Sequence, residues 1–190
     1  MLNMGFEPQV RQIVQRGNMP ASSSRQTMMF SATFPRDMQM LAKDFMKPEH
    51  IYMEFGELGC IPASITQKLL LVQPRDKLKT LIELLQKEDM NNRVLVFVQR
   101  KSSADFLLSD LQRSNFHVAA IHGDMSQRAR QRSLSLFRKG MAPILVATAV
   151  AARGLDIPDV KHVINYELPQ DVEEYIHRVG RTGRVGHEGG

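Results

Sequence analysis

The sequence predicts an α/β protein built on a parallel sheet with crossover helices, and three observations carry that reading. From about residue 67, short apolar runs rich in branched side chains alternate with stretches whose apolar residues recur at helical spacing. Cap residues stand where two of those helical stretches begin. The chain has 190 residues, 43% of them hydrophobic and 24% charged, enough for the core of one domain or one and a half.

The runs that read as strands are Leu69 to Val72, Val94 to Val98, Val118 to Ile121, Ile144 to Ala147 and His162 to Tyr166. Between the first two, Leu78, Leu81, Ile82 and Leu85 share a helical face. Ala104, Leu107, Leu108 and Leu111 do the same in the next connection, with Ser102 or Ser103 placed as its cap. Ser126 stands before a helix that buries Leu134 and Phe137, and Val172, Tyr175, Ile176 and Val179 stripe the last one. Five strand–helix units are expected.

Residues 1–55 have the same grammar but fewer elements. A helix is expected around Pro8 to Gln15, a strand at Thr27 to Phe30, a helix presenting Phe34, Met38, Leu41, Ala42 and Phe45, and a strand near Ile51 to Phe55. Two strands do not make a stable doubly wound sheet, so this segment reads as a shortened copy of the same architecture. Gly, Pro and small residues interrupt the periodicity from Gly56 to Ser64, marking residues 56–65 as a linker and 66–190 as the second unit.

Composition narrows the function classes. No stretch approaches the roughly 18 apolar residues of a membrane span, and the first residues lack the basic and apolar regions of a signal peptide, so cytosol or nucleus is the expected compartment. A single cysteine, Cys60, excludes an internal disulfide and a cysteine-based zinc site. The net charge of +5 favours an anionic partner, though only modestly.

The most informative segment is His177-Arg178-Val179-Gly180-Arg181-Thr182-Gly183-Arg184, which repeats arginine every third position among glycines. Guanidiniums at that pitch, on backbone that glycine lets come close, suit a transferring phosphoryl group or a nucleic-acid backbone. Neither core packing nor helix propensity calls for the pattern. Thr148 to Asp156 is of the same character: a hydroxyl and free amides after a strand, Arg153 for an anion, Gly154 for close approach, and Asp156 for a ribose hydroxyl or an arginine. A surface Arg153–Asp156 ion pair is the plainer alternative.

Other strand ends are polar as well. Ser31-Ala32-Thr33 follows Thr27 to Phe30, where two hydroxyls can relay hydrogen bonds from a ligand, or where Thr33 can simply cap a helix with Pro35 in its first turn. His122-Gly123-Asp124 follows another strand, with Gln127 and Arg130 in the next helical turn, positioned to hold a backbone phosphate or to form a solvated helix face. Gln99, Arg100 and Lys101 make a further basic strand end. Because ligands of open α/β sheets gather at the carboxyl edge, one ligand surface shared by all these stations is the economical expectation.

Taken in order, these segments resemble the motifs of DEAD-box ATP-dependent RNA helicases, in the branch that includes Vasa. Ser31-Ala32-Thr33 is similar to the third motif, Val94 to Gln99 to the fourth, Gln127 with Arg130 to the glutamine–arginine element, Thr148 to Asp156 to the fifth and His177 to Arg184 to the sixth. Met1 to Pro8 resembles the segment just after the Asp-Glu-Ala-Asp box. The resemblance implies RecA-like lobes: residues 1–55 as the end of a first lobe and 66–190 as the second, C-terminal lobe, truncated at its end. It further implies that Arg181 and Arg184 are arginine fingers reaching the γ-phosphate of ATP, and that Asp156 helps place the ribose and those arginines. His177, Ser31 and Thr33 would couple hydrolysis to RNA binding. Arg100, Gly123, Gln127, Arg130 and Thr148 would touch the sugar-phosphate backbone of single-stranded RNA or a short duplex.

The sequence carries neither a Gly-x-x-x-x-Gly-Lys-Ser/Thr loop nor an Asp-Glu-Ala-Asp box. ATP and Mg2+ are therefore expected to be bound mainly by a segment before Met1, with no metal site in the chain itself. The chain reads as part of a longer helicase, inactive alone and monomeric. Alternatives are a stand-alone module that binds RNA or a helicase lobe without catalysis, and a DNA helicase of the same superfamily.

Overall fold

Glu7–Arg16 and Arg36–Phe45 form two helices, α1 and α2. The computed structural model describes residues 6–31, 33–55, 59–89, 91–152 and 160–183. Helix α1 starts where Glu7 and Pro8 favour a first turn, and ends on Arg16, the charge order that suits a helix dipole. Arg11 joins α1 to α2. It pairs with Glu7 and with Asp44, both at 2.8 Å, and its guanidinium lies 5.5 Å from the Phe45 ring centroid. Leu41, Ala42 and Phe45 of α2 are buried, as the helical spacing requires.

The strands expected at Thr27 to Phe30 and Ile51 to Phe55 do not form. Both stretches are extended but belong to no ladder, and Phe30 and Phe55 are each 87% exposed. Branched and aromatic residues suit a pleated surface, but a strand exists only where a neighbour accepts its hydrogen bonds.

The chain divides into two compact units, residues 1–60 and 61–190. In the second, Pro74–Asp76 makes one 3₁₀ turn and Lys77–Gln86 forms α3. There follow β1 (Arg93–Val98), α4 (Lys101–Arg113), β2 (Val118–Ile121), α5 (Gln127–Arg138), β3 (Ile144–Thr148), the short α6 (Ala149–Ala152), β4 (Val160–Asn165) and α7 (Val172–Val179). Among the described residues the sheet has four strands in the order β2-β3-β1-β4, all pairs parallel.

The expected strand at Leu69 to Val72 is also absent. Leu69 is 87% exposed and no residue of the run pairs with the sheet. The expected count of five strand–helix units is corrected to four strands among the described residues.

The core explains the helix placement. Val94, Val96 and Val98 of β1 point with Val118, Ala120, Ile144 and Val146 toward Leu81 and Leu85 of α3 and Ala104, Leu107 and Leu111 of α4. The alternate set, Leu95, Phe97, Ile121, Leu145 and Ala147, meets Phe137 of α5 and Ala151 and Ala152 of α6. Both faces are covered, which is why β1, β2 and β3 read as continuous apolar runs. Each buried Leu, Ile, Val or Phe contributes about 1.5–3 kcal/mol by leaving water.

Caps behave unevenly. Ser126 accepts the Ala129 N–H at 3.2 Å and starts α5 as expected. The cap expected of Ser102 or Ser103 is not made: Arg100 occupies the N-cap position of α4 without a side-chain cap bond. Asp171 starts α7 by accepting the Glu174 N–H at 2.6 Å.

Candidate functional site

In-register pairing brings the carboxyl ends of the strands to one edge: Val98 lies beside Thr148, Ile121 beside Ala147, and Phe97 beside Asn165. Thr148 is the last residue of β3 and 7% exposed. Arg100 stands exposed after β1, Gly123 exposed after β2, and Gln127 exposed at the start of α5. Arg130 is half-buried one turn into α5, and its Nε is buried without a hydrogen-bond partner among the described residues. These five residues lie at or beside one edge, fixed there by three parallel strands and one helix start.

The loop after β2 is tied down on both sides. His122 Nε2 lies 3.0 Å from Asp105 Oδ1 of α4, and Asp124 pairs with Lys101 at the start of α4. A Cβ added at Gly123 would meet Lys101 Cε at 3.5 Å and Nζ at 3.9 Å, ordinary contacts, so protein packing does not demand glycine there.

The arginine–glycine array divides by role. Arg178 is 1% exposed; its Nη1 donates to Asn165 Oδ1 at 3.1 Å and to the Glu167 carbonyl at 2.7 Å, its Nη2 pairs with Glu174, and its guanidinium carbon lies 5.1 Å from the Phe97 ring centroid. Core packing therefore does call for this arginine, against the sequence reading. Thr182 is buried and its hydroxyl meets the carbonyls of Val160 at 2.8 Å and Lys161 at 2.9 Å. Gly183 has φ +63, and a Cβ there would lie 2.6 Å from Ile65 Cγ1. Both the backbone and the packing require glycine at that position.

Arg181 differs from Arg178. It is half-buried, donates from Nε to the His177 carbonyl at 3.2 Å, and lines a shallow recess with His177, Phe97, Ala149, Ala152, Glu174 and the buried Arg178. From the last turn of α7 Arg178 reaches Asn165 at the carboxyl end of β4, and the chain beyond the helix comes to the amino end of β4, where Thr182 is held. The array therefore runs back along β4. Phe97 near the end of β1 and Ala149, the residue after Thr148, line the recess, so it opens beside the same carboxyl edge. Arg153, Gly154, Asp156 and Arg184 lie outside the described residues.

Ser31 and Thr33 belong to the first unit. Ser31 Oγ donates to the Thr33 carbonyl at 2.6 Å and accepts the Thr33 N–H at 3.4 Å, ahead of α2. Pro35, not Thr33, is the N-cap residue of α2. Sequence reasoning missed Glu167: its carboxylate accepts the Gln99 N–H at 2.5 Å and the Ser103 hydroxyl at 2.9 Å. Partners 64 and 68 residues away leave no local signal.

Among the described residues no group of three or more His, Cys, Asp or Glu is placed to hold a metal ion, and no helix is long and apolar enough to cross a membrane.

A four-stranded parallel sheet flanked by helices, with polar groups along its carboxyl edge, is the architecture of a RecA-like C-terminal helicase lobe. The chain belongs to the family described as the helicase conserved C-terminal domain, whose model matches residues 76–186. Solved structures agree. The E. coli DEAD-box protein SrmB, bound to regulator of ribonuclease activity A, is 37% identical over 60% of this chain and 67% of that chain, with a TM-score of 0.57. The yeast DEAD-box splicing factor Prp28 is 37% identical over 100% of this chain and 42% of that one, with a TM-score of 0.64. S. cerevisiae Dbp5 bound to RNA and ADP BeF3 is 29% identical over 95% of this chain, with a TM-score of 0.76, and the chain spans 50% of its length.

Proposed function

We propose that this chain is the arginine-bearing, RNA-contacting part of an ATP-dependent RNA helicase of the Vasa-like DEAD-box branch. The observation that carries the reading is the joint placement of Arg100, Gly123, Gln127, Arg130 and Thr148 along the carboxyl edge while Arg181 lines a recess beside it with Ala149, the neighbour of Thr148. Residues 1–55 are the end of a first lobe, 56–65 the linker and 66–190 the second lobe. RNA and ADP BeF3 bound to the similar Dbp5 support a division into an RNA station and a nucleotide station.

At the edge, two guanidiniums, a hydroxyl and the amides around Gly123 suit phosphate oxygens and sugars. Such contacts fix the register of a strand without reading its bases, so binding is salt-sensitive and tolerant of sequence. Thr148 is held by its strand and Gly123 by the ties of its neighbours to α4, so ordering them costs little on binding.

At the recess, Arg181 offers N–H donors to an anion. Arg184 is its intended companion, with Asp156 placing the ribose. The chain has no phosphate-cradling loop and no Asp-Glu-Ala-Asp box, so the triphosphate and Mg2+ are gripped mainly by another segment. Bound there, Mg2+ would supply positive charge to offset that of the phosphates, and Arg181 would supply donors to the charge that develops on the transferred group. His177, Ser31 and Thr33 belong to the coupling of that step to RNA.

The test compares hydrolysis by the complete two-lobe protein with hydrolysis by the 190-residue chain. RNA-stimulated turnover is expected in the first and none in the second. Turnover by the chain alone, or no RNA stimulation of the two-lobe protein, would overturn the reading.

A further inference from the structure

Glu167 occupies the loop between β4 and α7, and all four of its hydrogen-bonding groups are engaged. Its N–H donates to the Phe97 carbonyl at 3.3 Å, and its carbonyl accepts from Arg178 Nη1 at 2.7 Å. Oε2 accepts the Gln99 N–H at 2.5 Å and Oε1 accepts the Ser103 hydroxyl at 2.9 Å. The Gln99 side-chain amide donates to the Leu168 carbonyl at 2.8 Å, a second bond across the same joint. One residue thus ties together the end of β1, the turn into α4, the first turn of α4 and the last turn of α7.

The geometry points to Glu167 as a positioning residue that holds Arg100 and Arg181 in one frame. Its carboxylate fixes Gln99 and Ser103, which bracket Arg100. Its carbonyl fixes Arg178, three residues before Arg181, and Arg178 is itself clamped by Glu174 and Phe97. A displacement at one station is therefore passed to the other through two hydrogen-bonded steps. The assignment rests on the reading of Arg100 as facing RNA and Arg181 as facing the triphosphate.

A carboxylate suits both facing groups. The Gln99 N–H only donates and takes one oxygen, and the Ser103 hydroxyl gives its proton to the other, whereas an amide keeps one accepting oxygen and forces the hydroxyl to turn round and accept from its NH₂. Charge-assisted bonds of this kind are roughly twice as strong as neutral ones.

Two measurements test the joint. Amide hydrogen exchange on the 190-residue chain should show Glu167→Gln accelerating the Gln99 amide and the Arg181 and Thr182 amides together, by about tenfold, while β3 amides keep their rates. Ser103→Ala removes one partner only and should accelerate the same two segments less; it decides the matter if Glu167→Gln does not fold. Acceleration confined to the β1–α4 turn, with Arg181 and Thr182 at wild-type rates, overturns the proposal. In the two-lobe protein, Glu167→Gln should raise the half-saturating RNA concentration and lower turnover at saturating RNA, each by about tenfold. Arg100→Ala should move only the first and Arg181→Ala only the second; a Glu167→Gln effect on one of the two alone also overturns it. Exchange needs neither RNA nor nucleotide, so an unsubstituted enzyme without RNA-stimulated turnover sinks the helicase reading and leaves the joint to be judged by exchange.

Discussion

The Arg178 guanidinium stacks 5.1 Å from the centre of the Phe97 ring, inside the protein, while Arg181 one turn later lines a recess at the surface. An array that looks uniform in sequence therefore holds a buried anchor at Arg178 and a half-buried arginine at Arg181.

Arg178→Ala should destabilise the second unit by about 3 kcal/mol, because Glu174 and the Glu167 carbonyl lose their partner in a buried setting. Arg178→Lys should recover little, since one ammonium cannot span Asn165, Glu167 and Glu174 as the planar fork does. Urea unfolding followed by circular dichroism checks both. A loss below about 1 kcal/mol for Arg178→Ala would contradict the anchoring role.

Gly183→Ala faces two obstacles, the left-handed φ of +63 and Ile65 Cγ1 at 2.6 Å from the new Cβ. A destabilisation of about 2–3 kcal/mol is expected. Ile65→Ala with Gly183→Ala should fall short of the sum of the single effects, because removing Cγ1 and Cδ1 relieves the clash but not the backbone strain. Strict additivity would show that Ile65 does not press on this position.

Arg130→Ala and Arg100→Ala should each weaken binding to a single-stranded RNA and reduce the slope of log K against log salt by about one. RNAs of different sequence and equal length should lose affinity alike. Titrations at several salt concentrations read this directly, and a loss specific to one sequence would assign base readout to these arginines instead.

Partial burial, with Glu167 and Asp110 nearby, raises the Tyr166 hydroxyl above its usual pKa. A raised acid stays neutral longer in the folded protein, so its contribution is whole below about pH 10 and is lost as pH climbs through the raised value. Tyr166→Phe should flatten that alkaline loss and leave neutral-pH stability nearly unchanged. Identical alkaline limbs in the two proteins would show that Tyr166 does not report there.

Much of this was legible in sequence where structure is local. Leu81, Leu85, Leu107 and Leu111 announce α3 and α4 by spacing, and the branched runs of β1, β2 and β3 announce a sheet covered on both faces. What escaped depends on distant partners. Leu69 to Val72 has strand composition but no neighbouring ladder, and Ser103 looks like a cap until Glu167 takes its hydroxyl from 64 residues away. Val172, expected on the buried stripe of α7, is 73% exposed, while the charged Arg178 is buried. The positions of Arg178, i+4 from Glu174 and i+3 from Tyr175, were the available hint of an inward-facing cation.

The most direct measurement of the central claim is ATP turnover by the two-lobe protein carrying Arg181→Ala, with RNA and nucleotide both saturating. An arginine aimed at the transferred phosphoryl group predicts a fall of about 10³- to 10⁵-fold, with nucleotide affinity nearly unchanged and the fold intact. Turnover equal to that of the unsubstituted protein would contradict it.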